Sequence, residues 1–110
     1  MTDDRIQKIK SAVEAADHIS PEKKTELLAV LAKLKPAIEK VAQTHEEDAH
    51  SISQFIEASA HEVVRKNKHR EGLEGVLHKL RQSVAKFEAS HPDLTAFITE
   101  YSALLSSYGI

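Results

Sequence analysis

The residues best suited to chemistry in this 110-residue chain are its seven histidines and the acids spaced from them. Glu47-Asp48-Ala49-His50 and Glu88-Ala89-Ser90-His91 both have the Glu-x-x-His spacing. Di-iron helical bundles use two such motifs, with one Glu from each of two further helices, all projecting inward. With twelve Glu and seven His in the chain, chance placement gives on the order of one such pair. Glu47 and His50 lie off the apolar stripe made by Ala49, Ile52 and Ile56, and Ser90 is better used as a helix cap, which would separate Glu88 from His91. His45-Glu46-Glu47-Asp48-Ala49 falls short of the zinc-protease pattern, because Ala49 stands where the second His belongs. No metal ligand, catalytic residue or cofactor site is assigned from these spacings. The expectation is solvated histidines.

Arg65-Lys66-Asn67-Lys68-His69-Arg70 is the basic cluster of the chain. It could hold an anion, a phosphate backbone or an anionic membrane surface, but it also suits the last turn of a helix, where positive charge meets the negative end of the dipole. No aromatic residue interleaves it and no groove-reading motif accompanies it, so no nucleic-acid partner is expected. There is no glycine-rich phosphate loop, and no serine in a nucleophile-elbow context. The absence of Cys removes disulfides, a thiolate nucleophile and Cys-based zinc sites.

The elements that would position these residues are helices. Three Gly, three Pro, no Trp and apolar residues that are mostly Ala, Leu, Ile and Val leave little for sheet turns and aromatic ladders. The class expected is all-α, in one domain spanning 1–110, with roughly two-thirds of the unfolded surface buried. The net charge of −2 favours no strongly charged partner. No stretch has the eighteen or so apolar residues of a membrane span and the start has no leader pattern, so a cytoplasmic protein is expected.

A first helix starts at Thr2 or Asp3 with the stripe Ile6, Ile9, Val13 and Ala16. Ser20-Pro21-Glu22 is a strong start signal, with a hydroxyl cap followed by Pro at the first helical position. Leu27, Leu31, Leu34, Ile38, Val41 and His45 then follow as a heptad seam, and Pro36 predicts a kink. The apolar series runs on through Ala49, Ile52, Ile56, Ala60 and Val63, which favours one long helix. Thr44 with Glu47 as a capping box, and acids early in the stretch, keep a split near 44 open. Asn67, Gly72 and Gly75 mark the next break, with Gly72 as the expected connector.

The C-terminal hairpin is the best-defined object. Its first arm carries Leu73, Val76, Leu77, Leu80, Val84 and Phe87; its second carries Leu94, Phe97, Ile98, Tyr101, Leu104, Leu105 and Tyr108. Ser90 is expected to cap the second arm, and Gly109 to close it. The architecture expected is an elongated bundle of four or five helices: two αα-hairpins with a long, Pro-kinked second helix. Turns are predicted near 18–20, 68–72 and 90–92.

The run Phe87-Glu88-Ala89-Ser90-His91-Pro92-Asp93-Leu94, with the ending Tyr108-Gly109-Ile110, resembles the signature of a family of short bacterial proteins classified only as a domain of unknown function. Ser53 to Glu62 with Arg65 resembles the middle segment of its longer members, and Ser20-Pro21-Glu22 with the leucines after it their N-terminal hairpin. The resemblance implies a small helical protein and carries no functional residue across. The remaining oddity is a face of small hydroxyls on the last helix: Thr95, Thr99, Ser102, Ser106 and Ser107, with Asp93 and Glu100 as the only formal charges. The expected function is that of a non-enzymatic module that self-associates, as a homodimer, or docks a partner through this hairpin and the heptad seam. The alternatives are a metal-dependent helical enzyme and an anion or nucleic-acid binder.

Overall fold

A computed structural model describes residues 2–16, 19–64 and 70–107. They form five helices: α1 (Thr2–Ala15), α2 (Pro21–Ala42), α3 (Glu46–Val64), α4 (Arg70–Ala85) and α5 (Pro92–Ser106). No strand occurs among the described residues. The molecule measures 38 × 24 × 20 Å. None of the described helices is long and apolar enough to cross a membrane.

The four longer helices close a ring in which α2 packs on α3, α3 on α4, α4 on α5 and α5 back on α2; α1 lies outside this ring, on α2 and α3. Short connections make successive helices antiparallel. The pairings agree: Asp48 near the start of α3 meets Lys86 just past the end of α4 at 2.7 Å, and Glu26 near the start of α2 lines one groove with Ser107 just past the end of α5.

The stripes read from the spacing are the stripes that are buried. Ile6, Ile9, Val13 and Ala16 cover the inner side of α1, and Ala49, Ile52, Ile56, Ala60 and Val63 that of α3. From the hairpin, Leu73, Leu77, Leu80, Val84, Phe87, Leu94, Ile98, Tyr101 and Leu105 are buried, while Val76, Phe97 and Leu104 are half-buried. Ser20 starts α2 as expected, its Oγ accepting from the Lys23 N–H at 3.3 Å with Pro21 at the first helical position.

Four expectations are corrected. The long second helix is two helices: the chain leaves α2 through Gln43-Thr44-His45, with the N–H groups of Thr44 and His45 both reaching the Val41 carbonyl. Thr44 spends its hydroxyl on the His45 ring, Oγ1 to Nδ1 2.8 Å. The acids Glu46, Glu47 and Asp48 then occupy the first turn of α3, where the dipole favours them. Gly72 is not a connector but lies in the first turn of α4. The residue preceding α5 is His91, with no side-chain cap, while Ser90 belongs to the turn before it. Finally, Leu27, Leu31, Leu34, Ile38 and Val41 are each 0% exposed. The heptad seam is covered by the other helices of the same chain and is not free for a second copy. The expected closing role of Gly109, the stripe position Tyr108 and the break at Asn67 lie outside the described residues.

Candidate docking face

The hydroxyl face of the last helix is part of a wider surface shared by α2 and α5. On α2 it presents Ala29 and Ala32, both exposed; on α5 it presents Ala96, Thr99 and Ala103, also exposed, beside half-buried Phe97 and Leu104. A shallow groove of about 470 Å³ runs between the two helices, lined by Glu26, Ala29, Glu100, Ala103, Leu104 and Ser107. Short side chains leave the helix backbones near the surface, which is what close approach by another helix requires.

Three hydroxyls on this face bond back to their own helix, while Ser106 is exposed. Thr95 Oγ1 donates to the Pro92 carbonyl at 2.9 Å, Thr99 Oγ1 to the Thr95 carbonyl at 2.9 Å, and Ser107 Oγ to the Leu104 carbonyl at 2.6 Å. Such back-bonding to the preceding turn satisfies the hydroxyl hydrogen without solvent, so Thr95, Thr99 and Ser107 demand less of water than their type suggests. The ionic groups at its centre neutralise each other: Lys33 Nζ lies 3.2 Å from both Glu100 carboxylate oxygens and 5.6 Å from the centroid of the Phe97 ring. Ser102, read as part of this face, is instead 3% exposed and belongs to the interior.

That interior holds three serines the stripe reading missed, beside Tyr101, which it named. Tyr101 is fully buried, and its hydroxyl sits 2.7 Å from Ser59 Oγ and 3.1 Å from the Ile56 carbonyl. Ser59 Oγ itself donates to the Ile56 carbonyl at 2.8 Å. The arrangement is self-consistent when Ser59 gives its hydrogen to the carbonyl and accepts that of Tyr101, which ties α5 to α3 across the bundle. Ser53 and Ser102 are also buried, and their hydroxyl oxygens have no hydrogen-bond partner among the described residues. The signal for all three serines was their phase: Ser53 stands four residues after Ala49, Ser59 three after Ile56 and Ser102 four after Ile98, on the buried stripes themselves.

The histidines gather only in part. At the end of the bundle where α2 hands over to α3 and α4 to α5, the Phe87 ring lies edge-on to His45 at 5.2 Å and to His91 at 5.7 Å between centroids. Lys86 Nζ stands 5.6 Å from the centroid of the same ring. Phe87 is 3% exposed, so the two imidazoles and the lysine stem shield an apolar plug at the bundle end. Glu47, His50 and Glu88 are exposed and His91 is half-buried, so the four residues with di-metal spacing do not point into a common interior. Among the described residues, no three His, Asp or Glu side chains are close enough together to hold a metal ion. Of the basic cluster, residues 65–69 lie outside the described residues, and only the backbone of Arg70 is described, as the start of α4.

Fold and surface together define a small all-helical bundle protein: an antiparallel ring of four helices with a fifth laid against it. The chain belongs to the family described as domain of unknown function DUF4404, whose model matches residues 27–110. No curated protein and no solved structure matches it.

Proposed function

We propose that the protein is a non-enzymatic helical interaction module that pairs with a second copy of itself through the α2/α5 face. The carrying observation is the chemistry of that face: exposed alanines on both helices, hydroxyls bonded back to their own carbonyls, and a central Lys33–Glu100 pair. A twofold axis through the middle of the face brings each lysine toward the other copy's glutamate, so self-pairing meets no net like-charge repulsion there. Ala29, Ala103 and Leu104 along the groove supply apolar surface that a facing helix would remove from water.

Sedimentation equilibrium over a concentration series tests the reading. The wild type is expected to be dimeric at high micromolar concentration. Ala103→Arg is expected to give a monomer with unchanged helicity, because Ala103 is exposed and contributes nothing to the interior. Ala58→Arg, in the α3/α4 groove, should leave the dimer intact. A wild-type protein that stays monomeric at high micromolar concentration overturns the proposal.

A further inference from the structure

The helix α2 carries two prolines in unlike places. Pro21 takes the first helical position, where a missing N–H costs least. Pro36 stands inside the helix, where proline is the least favourable residue of all. Its ring is exposed, so it does not offset that cost by filling the core. What Pro36 does is remove a donor: in an α-helix the N–H of residue 36 belongs to the carbonyl of residue 32. The Ala32 carbonyl is left without its helical partner on a side of α2 where Ala29, Ala32, Lys33 and Pro36 are all exposed. A donor lies one residue away. The Lys33 ammonium has three N–H groups, and the Glu100 carboxylate, with both oxygens 3.2 Å from Nζ, engages at most two of them. A spare donor and a spare acceptor at successive positions make this stretch complementary to itself under a twofold axis.

We propose that Pro36 is a specificity-determining residue of self-association: it frees the Ala32 carbonyl to accept from the Lys33 ammonium of a second copy, and the twofold axis makes that bond twice. The inference rests on the α2/α5 pairing proposed above and adds the groups that set its register. Water serves an exposed carbonyl in the monomer; in the dimer the ammonium takes its place, and a charged donor makes the stronger bond. A partner with no donor at that point would bury the carbonyl unpaired, at a cost in affinity. The same proline therefore favours a second copy of this chain over a helix of merely suitable shape.

Sedimentation equilibrium and thermal unfolding of the full chain test it together. Pro36→Ala restores the N–H to the Ala32 carbonyl. It is expected to raise the thermal midpoint of the monomer by roughly 5–10 °C and to weaken the dimer by about tenfold or more, one charge-assisted bond being lost from each copy. Opposite signs in the two readouts are what a merely structural proline would not give. Lys33→Met combined with Glu100→Gln removes the donor without leaving a lone carboxylate, and is expected to weaken the dimer by a similar factor. Adding Pro36→Ala to that pair should then change the dimer constant by less than about threefold, because the bond it breaks is already gone. A Pro36→Ala dimer as tight as the wild type or tighter, a lowered midpoint, or full additivity in the triple variant overturns the inference. If the wild type still dimerises and Ala103→Arg still abolishes it, the α2/α5 reading survives that outcome. A wild-type chain that stays monomeric at high micromolar concentration overturns both.

Discussion

The α2/α5 and α3/α4 seams both join antiparallel helices and each leaves a shallow groove, about 470 Å³ in the first and 450 Å³ in the second. Their linings differ. The α3/α4 groove is edged by Gln54, Glu57, His61 and Glu62, with Gly72 and Val76 opposite. Gln54 and His61 on that wall are exposed, and a partner seated there would have to desolvate them. The α2/α5 groove has glutamates at positions 26 and 100, the second engaged by Lys33, as Glu57 of the other groove is by Arg5; the remaining lining of α2/α5 is Ala29, Ala103, Leu104 and Ser107. Shape alone therefore does not distinguish a docking surface from an ordinary helix seam. What distinguishes them is how much polar desolvation a partner would have to accept, and that is lower on α2/α5 because its hydroxyls are satisfied from within.

The comparison depends on α2 being a core helix on one side and a docking helix on the other, and the largest expected effect tests that division. Leu34 is 0% exposed, so Leu34→Ala should cost about 2–5 kcal/mol of folding free energy in a denaturant titration. Leu34→Glu, which buries an unpaired carboxylate, should leave the chain unfolded at neutral pH. A folded, monomeric Leu34→Glu protein would return the heptad seam to the surface and remove the contrast between the two sides of α2. Ala32, on the outer side of the same helix, should accept Glu within about 0.5 kcal/mol.

How far the sequence carried the reading follows from where information sits in it. Burial along a helix repeats every three to four residues, so the stripes of α1, α2, α3 and the hairpin were readable, and most residues named on them are the core; the exceptions are half-buried Val76, Phe97 and Leu104 and exposed His45. The break at Gln43-Thr44-His45 was harder, because it contains neither Gly nor Pro and the apolar series resumes at Ala49. The acids at 46–48 were its visible mark. What covers the α2 stripe was not readable at all, since a stripe records that a face is buried and not by which helix. The same ambiguity placed Ser102 on the outer face. Hydroxyl residues look exposed by type, and the phase relation to Ile98 that buries it carries the better information.

A second pair of substitutions sharpens the comparison from inside, where α3 of one seam meets α5 of the other. Tyr101→Phe removes the hydroxyl that binds Ser59 and the Ile56 carbonyl and is expected to cost about 1–2 kcal/mol. Ser59→Ala should cost less than that beyond its own bond, and the two together should fall short of additivity by about 0.5 kcal/mol or more, because they share one interaction. Ser53→Ala is the control: its hydroxyl is buried with no partner among the described residues, so replacing Ser53 by Ala should be neutral or slightly stabilising. Equal losses for Ser53→Ala and Ser59→Ala, measured in the same denaturant series, would show that the Tyr101 link carries no special stability.

The smallest effect concerns the α4 wall of the α3/α4 seam, where glycine has no evident task. Gly75 lies inside α4 on its exposed side, its φ is not left-handed, and among the described residues a Cβ there would meet nothing within 4 Å. Glycine in such a position lowers helix stability through the conformational freedom it gives the unfolded chain. Gly75→Ala should therefore raise stability by about 0.5–1 kcal/mol, which for a domain of this size moves the thermal midpoint up by a few degrees. Calorimetry under conditions where the chain is monomeric isolates the effect from association. The dimer constant should not change, because α4 takes no part in the α2/α5 face. A lower midpoint would mean that a neighbour does approach Gly75 in solution. Weaker self-association with an unchanged midpoint would move the docking face from the α2/α5 seam to the α3/α4 seam and reverse the comparison.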